Sequence, residues 1–169
     1  DTAGDTAGDT AAAHEDDAPS APLECGEYFY EEAEFEAAQW VCDVEELCDY
    51  VSYDAGDEVF NSREAAECML EALIAQTPGM LTVGRQSSDI TSFSRSIMFI
   101  LDTGHVVSNV TSYQDSVTDY YFTRPYPLKE VAYFEGCRGA DTDKELADCI
   151  YAWRDGDCVD IETTCEGGF

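Results

Sequence analysis

The first 62 residues of the chain contain no lysine or arginine, and the first basic residue is Arg63. The same 62 residues hold 19 of the 37 acidic residues, and the net charge of the whole chain is −29. A surface with so little positive charge repels nucleic acid and anionic membranes, so we exclude both as partners. Cations, basic proteins and neutral glycans remain compatible with this charge.

The chain also lacks an apolar run of the ~18 residues that a membrane-spanning helix requires. It begins at Asp1 and not at methionine, which we interpret as the removal of a signal peptide or another leading segment. We therefore expect a mature chain that is not inserted in a membrane. Its expected location is the extracellular space or the cell surface.

Zinc-binding patterns are missing as well, because there is no Cys-x-x-Cys pair and there are only two histidines. An even number of cysteines, eight, instead predicts disulfides and an oxidising compartment. The cysteines fall into two groups of four, separated by 68 residues without cysteine. Local loops close most easily, so we predict pairing within each group. The groups are Cys25, Cys42, Cys48 and Cys68, and Cys137, Cys149, Cys158 and Cys165.

Residues 1–24 read as an acidic low-complexity tail that begins with Asp-Thr-Ala-Gly repeats. The repeats have no apolar side chain larger than alanine, so they cannot bury a core of their own. The tail is a flexible spacer, a carrier of O-linked glycans at Thr2, Thr6 and Thr10, or an arm that contacts a neighbouring subunit. Residues 25–169 are long enough for a single disulfide-rich domain.

The pattern of residues 61–154 predicts an α+β fold. Asn61 and Glu64 indicate a helix start, and we expect a helix over 62–76. Thr142 and Glu145 form a second capping signal, for a helix that ends near Arg154. Alternating and apolar stretches predict an antiparallel sheet of about five strands, packed by one or two helices and held by disulfides at both ends. The predicted strands are Met80–Gln86, Arg95–Leu101, Val106–Tyr113, Val117–Thr123 and Leu128–Phe134.

Residues 25–60 fit two patterns. Ala33, Phe35 and Ala37 alternate with glutamates as in a strand, while Phe29, Ala33, Ala37 and Trp40 have helical spacing. A helix here would place glutamates beside one another with no lysine to relieve their repulsion. We therefore favour extended structure.

Phe99–Gly104 resembles the signature of aspartic proteases, in which apolar residues precede Asp-Thr-Gly. The resemblance implies a hydrolase that dimerises, because that chemistry needs two carboxylates sharing a proton. The position after the glycine is His105, where the family pattern has serine or threonine. A β-hairpin turn explains the same residues, since Asp and Thr favour turns and Gly104 supplies positive φ. We predict a turn without a catalytic role for Asp102, and an exposed hairpin position for His105.

Four acids in a glycine-containing loop are the candidate ligands for Ca²⁺, although their spacing does not match an EF-hand. They are Asp155, Asp157, Asp160 and Glu162. We expect no other cofactor.

Asn109-Val110-Thr111 matches an acceptor for N-linked glycans. We expect Trp40 and Trp153 to be core residues. The tyrosines on or beside the last three strands are packing residues or, if they are exposed together, a binding face. They are Tyr113, Tyr120, Tyr121, Tyr126 and Tyr133.

No convincing catalytic arrangement is present, so our first hypothesis is a non-enzymatic secreted or cell-surface protein with a structural or adhesive role. It could be a self-assembling filament subunit whose N-terminal arm contacts a neighbour, or it could bind another surface protein or a glycan. The second hypothesis is a monomeric secreted binding module for a cation or a small ligand. The third is a dimeric hydrolase that uses Asp102.

Overall fold

The computed structural model of the chain describes residues 28–168. In that range four helices pack on one seven-stranded, mostly antiparallel sheet, which confirms the α+β class. The sheet has two strands more than we predicted. The strands are β1 (Tyr28–Tyr30), β2 (Val51–Asp54), β3 (Val59–Phe60), β4 (Gly79–Gln86), β5 (Ser92–Ile100), β6 (His105–Gln114) and β7 (Val117–Pro127). The helices are α1 (Glu32–Ala38), α2 (Arg63–Ala75), α3 (Val131–Cys137) and α4 (Asp143–Tyr151).

The strands lie in the order β1-β7-β6-β5-β4-β2-β3. Strands β4 to β7 form an antiparallel meander in which each strand pairs with the next along the chain. Only β2 runs parallel to its neighbour, β4. The meander therefore occupies the middle of the sheet, and the short strands β1 and β3 form its edges.

Three helices cover one face of this sheet, which we call the helix face. Apolar side chains of α2, α3 and α4 pack on strand residues that include Leu81, Met98 and Ile100. Leu81, Met98 and Ile100 are at most 1 % exposed, so this contact forms the larger core.

The opposite face, which we call the α1 face, is covered by α1 and by irregular segments from both ends of the domain. Phe35 and Trp40 pack there against Phe99, Val107 and Phe122. The Trp40 indole nitrogen donates to the carbonyl of Thr123 at 2.8 Å. The prediction that Trp40 and Trp153 are core residues is confirmed, because their exposed fractions are 6 % and 7 %.

The segment we predicted as a fifth strand, Leu128–Phe134, is instead the start of α3. Leu128 makes a single bridge with Arg154, and the helix begins at Val131. Phe134 and Cys137 are buried at helical spacing, and Cys137 is cross-linked to Cys149 of α4. Burial of this stripe against two helices outweighs the preference of Val, Tyr and Phe for strands.

Our preference for extended structure was also wrong at 32–38, where α1 forms. Only Phe35 of this helix is buried, and its ring lies 5.4 Å from that of Tyr120. Burial of a Phe side chain contributes about 1.5–3 kcal/mol, whereas each like-charged pair on a helix costs about 0.2–0.5 kcal/mol. The exposed Glu32 and Glu34 also lie in the first turn, where the helix dipole favours negative charge.

Both predicted helix starts lie at the expected place, with one change of cap. Thr142 and Glu145 form the complete capping box of α4, which ends at Tyr151. The cap of α2 is Ser62, whose side chain accepts from the amide of Ala65. Asn61 instead accepts a hydrogen bond from the amide of Ser52, which ties it to β2.

The disulfides confirm the oxidised state that we predicted but not all of the pairing. Cys48–Cys68 and Cys137–Cys149 lie within the two groups, and Cys42–Cys165 joins them. That cross-link contradicts our within-group rule. It arises because Val41 and Glu166 form a bridge that brings the two ends of the domain together on the α1 face. Cys158 is disulfide-bonded as well, and Cys25 lies outside the described residues.

These disulfides indicate an oxidising compartment. None of the helices in residues 28–168 is long and apolar enough to cross a membrane. The predicted tail, residues 1–24, lies outside the described residues, as do the candidate glycan acceptors Thr2, Thr6 and Thr10.

Candidate functional site

Seven of the eight basic residues fall into two classes by what they contact. Arg63, Arg138 and Lys144 form ion pairs with carboxylates. Four others lie over aromatic rings, namely Arg85, Arg95, Lys129 and Arg154. The chain has 37 acidic and only eight basic residues, so basic side chains that lie on aromatic rings are candidates for a binding site.

Two of these arginines, Arg85 and Arg154, line one depression on the helix face, beyond the C-terminal end of α4. It consists of cavities of about 280 and 400 Å³ that share Arg85 and Ser94, and we call it the arginine–serine groove. Its polar lining residues are Arg85, Ser87, Ser88, Ser92, Ser94, Ser96, Ser112, Gln114, Tyr121, Tyr151 and Arg154.

The period of two in β5 produces the serine row. Ser92, Ser94 and Ser96 share one face of the strand, while Phe93 and Arg95 point to the other. In the sheet Ser94 lies between Arg85 of β4 and Ser112 of β6. Because α4 ends at Tyr151, no helix covers this row within the described residues, and the hydroxyl groups face the groove.

Arg85 is held in place by Tyr151. The guanidinium carbon lies 5.3 Å from the centre of the Tyr151 ring. The Tyr151 hydroxyl donates in turn to the carbonyl of Gly84, the residue before Arg85. Burial raises the pKa of the Tyr151 phenol, while the charge of Arg85 opposes that rise. Tyr151 therefore remains a neutral donor, and it fixes the backbone and the side chain of the arginine together.

Arg154, just beyond the C-terminal end of α4, is held by two other rings. Its guanidinium carbon lies 4.8 Å from the ring centre of Tyr126 and 5.1 Å from that of Trp153. The Trp153 ring is 7 % exposed and belongs to the core. The Arg154 backbone forms a bridge with Leu128, which fixes the position of the backbone that carries the side chain. A guanidinium on a buried ring is oriented before a ligand arrives.

The groove contains no Asp or Glu among the described residues that line it. Asp119 lies opposite Ser112 in the ladder and is outside that lining. Guanidinium groups form strong, frequently bidentate hydrogen bonds with carboxylate and phosphate, and serine hydroxyls can both donate and accept. The arrangement is therefore suited to hold an anionic group and its polar neighbours.

The four candidate calcium ligands do not form a site. Asp155, Asp157, Asp160 and Glu162 are all exposed. Within residues 28–168 no three acidic, cysteine or histidine side chains are grouped so that they could hold a metal ion.

Asn109, whose triplet matches the acceptor pattern for N-linked glycans, is not available as an acceptor in this fold. The residue is 5 % exposed, and its side-chain amide is bound on both sides by Trp40. The Asn109 oxygen accepts from the Trp40 amide, and its nitrogen donates to the Trp40 carbonyl, both at 2.8 Å. A glycan on this nitrogen would break the link between β6 and the segment after α1.

The Asp-Thr-Gly segment forms the predicted turn between β5 and β6. The Leu101 amide donates to the His105 carbonyl, and Gly104 adopts a φ of 75°. Asp102 is exposed, and His105 is half-buried, with its ring nitrogen 3.0 Å from the Thr103 carbonyl. His105 is therefore less exposed than we predicted. A catalytic role for Asp102 was not expected and stays untested.

The five tyrosines do not form one exposed row. Tyr121 lines the groove, while Tyr120 packs on Phe35 on the α1 face. Tyr126 packs edge-on against Trp153. Tyr113 is the most exposed of the five, at 46 %. Most of these rings serve packing, and one contributes to the candidate site.

Our sequence analysis missed the groove. The signal was present as Ser-x-Ser-x-Ser at 92–96, a polar row with strand period. We placed the strand start at Arg95 and considered only its apolar half. The spacing of residues in the sequence does not show that Arg154 lies beside this row of serines, or that α4 ends there.

No protein family model, no curated protein and no solved structure matches the chain.

Proposed function

We propose that this protein is a non-enzymatic binding module of the extracellular space or the cell surface, and that its arginine–serine groove takes an anionic group. The observation that supports the proposal most strongly is the placement of two ring-held guanidiniums in a groove whose described lining has no carboxylate. The disulfides support the compartment. This is our second hypothesis from the sequence, with an anion in place of the cation.

A net charge of −29 does not prevent this. The screening length at physiological ionic strength is ~8 Å, so most surface carboxylates act on a ligand only weakly once it is bound. A hydrogen bond to a charged group contributes about 1.5–3 kcal/mol. Local contacts with Arg85 and Arg154 therefore outweigh the distant repulsion, which acts mainly on the rate of approach.

Titration followed by amide NMR tests the proposal directly. D-galacturonate and inorganic phosphate serve as anionic probes, and D-galactose is the neutral comparison. We expect saturable shifts of amides in β4, β5 and the end of α4 with at least one anion, and none with galactose. Arg85→Gln and Arg154→Gln should each weaken binding at least tenfold.

Arg95→Gln is the matched control. Arg95 is an exposed arginine that also lies over a tyrosine ring, but on the α1 face of the same sheet. It should leave the affinity unchanged. Equal losses in the Arg95 variant and the groove variants would contradict the proposal, and so would the absence of any saturable shift.

Self-assembly through the N-terminal arm stays a prediction, because the arm lies outside the described residues. The hydrolase hypothesis likewise stays untested. An activity comparison of Asp102→Asn with the unchanged protein addresses it.

A further inference from the structure

We infer that the anionic ligand is an acidic oligosaccharide, with one carboxylate at Arg85 and Arg154 and its sugar rings along the serine row. This inference rests on the proposed function and names the ligand class of the same groove. Its basis is the length, the lining and the floor of the groove.

The groove is longer than a compact anion needs. Two neighbouring cavities, of about 280 and 400 Å³, are both lined by Arg85 and Ser94, and the second is also lined by Ser87 and Ser88 of the following turn. From Ser96 to Ser92 the strand alone extends on the order of 13 Å, at ~3.3 Å per residue. A phosphate ion or a single carboxylate would fill only the arginine end. To fill the rest of the groove, a ligand must consist of several linked monomer units.

The lining beyond the arginines is uncharged and rich in hydroxyl groups. Ser92, Ser94 and Ser112 can each donate and accept hydrogen bonds, as sugar hydroxyls also do. Tyr121 borders the arginine end, where the Tyr151 ring is already covered by Arg85. The complementary ligand therefore carries sparse negative charge and many hydroxyl groups, which describes a chain of sugars that includes a uronic acid.

An acidic peptide fits this groove less well. Its floor is formed by the inner strands β4 to β7, whose backbone groups are already used in the ladders on both sides. A peptide therefore cannot add as a strand there, which is how extended peptides usually gain affinity on sheets. Densely charged polymers are disfavoured further by the net charge of −29.

Calorimetric titration with oligogalacturonides of increasing length tests the inference. The matched ligands are the methyl esters of the same oligomers, in which each carboxylate is replaced by a neutral ester, and a glutamate tetrapeptide. We expect the affinity to rise at least tenfold from the monomer to the trimer. We expect the methyl esters to lose that affinity, and the tetrapeptide to bind no better than the galacturonate monomer.

Ser92→Ala combined with Ser112→Ala should remove the gain with length and leave the affinity for the monomer unchanged. Thr111→Ala is the control, because Thr111 is next to Ser112 but faces the other side of the sheet. Equal affinity of monomer and trimer would overturn the inference and leave the proposed function standing. Tighter binding of the tetrapeptide would replace the sugar by an acidic peptide. If neither the oligomers nor inorganic phosphate bind, both the inference and the proposed function fail.

Discussion

Strands β5 and β6 have two halves that differ in what they bury. Near their shared turn, Ile100 and Val106 are fully buried, and Phe99 and Val107 are buried on the other face. At the far end, Ser94 and Ser112 lie side by side, half-exposed, in the arginine–serine groove. We call these the core half and the groove half. The same hydrogen-bonded ladder thus supports a packed interior at one end and a polar surface at the other.

The difference between the halves indicates that one half stabilises the fold and the other half binds the ligand. The core half lies between two hydrophobic clusters and provides most of the stabilising burial. The groove half keeps polar side chains on a rigid sheet, which favours a pre-organised site. Stability and binding should therefore respond to substitutions in different halves.

Ile100→Ala is expected to have the largest effect on stability. It removes a fully buried side chain from the larger core and should lower the free energy of unfolding by about 2–5 kcal/mol. Ser96→Ala, four residues away in the groove half, should change it by less than about 0.5 kcal/mol. Urea melts of both variants measure this. Similar losses would contradict the division between the halves.

Removal of the Cys42–Cys165 disulfide should have an effect of similar size. Its cysteines are 123 residues apart, against 12 for Cys137–Cys149. By chain-entropy estimates a loop on the order of 100 residues contributes about 4–5 kcal/mol and one of ~15 residues about 3 kcal/mol. Pairwise Cys→Ser variants should therefore show the greater loss for the long loop. The reverse order would show that covering the α1 face does not depend on this cross-link.

Asn109→Ala tests the buried amide that holds Trp40. It leaves the backbone amide and carbonyl of Trp40 without their partners and should cost about 2–3 kcal/mol. Asn61→Ala is the control, since Asn61 binds backbone of β2 in an exposed position. In thermal melts, Asn61→Ala should lower the free energy of unfolding by less than half as much as Asn109→Ala. Equal costs would contradict the central role of Asn109 on the α1 face.

Asp143 should make stability depend on pH at the acidic end. The Phe60 amide and the Arg63 guanidinium lower the pKa of its carboxyl below the ordinary value. The stabilisation is therefore complete above the ordinary pKa and is lost as pH falls through the lowered pKa of the folded state. Asp143→Asn should reduce the fall in melting temperature on acidification. The exposed Asp141→Asn is the control and should retain the full acid response.

Deletion of residues 1–22 should have the smallest effect on stability. These residues can bury almost no apolar surface, so the melting temperature should stay nearly unchanged. Light scattering of the same protein reports on self-assembly, which should disappear if the arm contacts a neighbour. A large fall in melting temperature would show that the tail packs on its own domain.

Local patterns correctly predicted the elements that are determined by residues close together in the sequence. The capping box at Thr142 indicated a helix correctly, and the apolar stretch Ile97–Leu101 indicated a strand correctly, because neighbours in sequence determine both. Segments governed by distant contacts were predicted wrongly. Phe35 and Phe134 form helices because each is buried against residues far along the chain.

The candidate site depends on contacts between distant residues even more than these helices do. Serine alternation in β5 is visible in the sequence, but Arg154 reaches the groove only because the chain after α4 bridges back to Leu128. Cys42–Cys165 likewise follows from the meeting of two distant ends. Sequence spacing contains no information on either approach.

The most direct test of the account is the double variant Arg85→Gln/Arg154→Gln, measured for binding and for stability in the same preparation. The two guanidiniums make three contacts with rings, and each such contact contributes about 0.5–1 kcal/mol, so the free energy of unfolding should fall by less than ~3 kcal/mol. Binding of galacturonate should be abolished. Retained binding would contradict the assignment of the groove as the functional site, and a loss of stability equal to that of Ile100→Ala would contradict the division between the two halves.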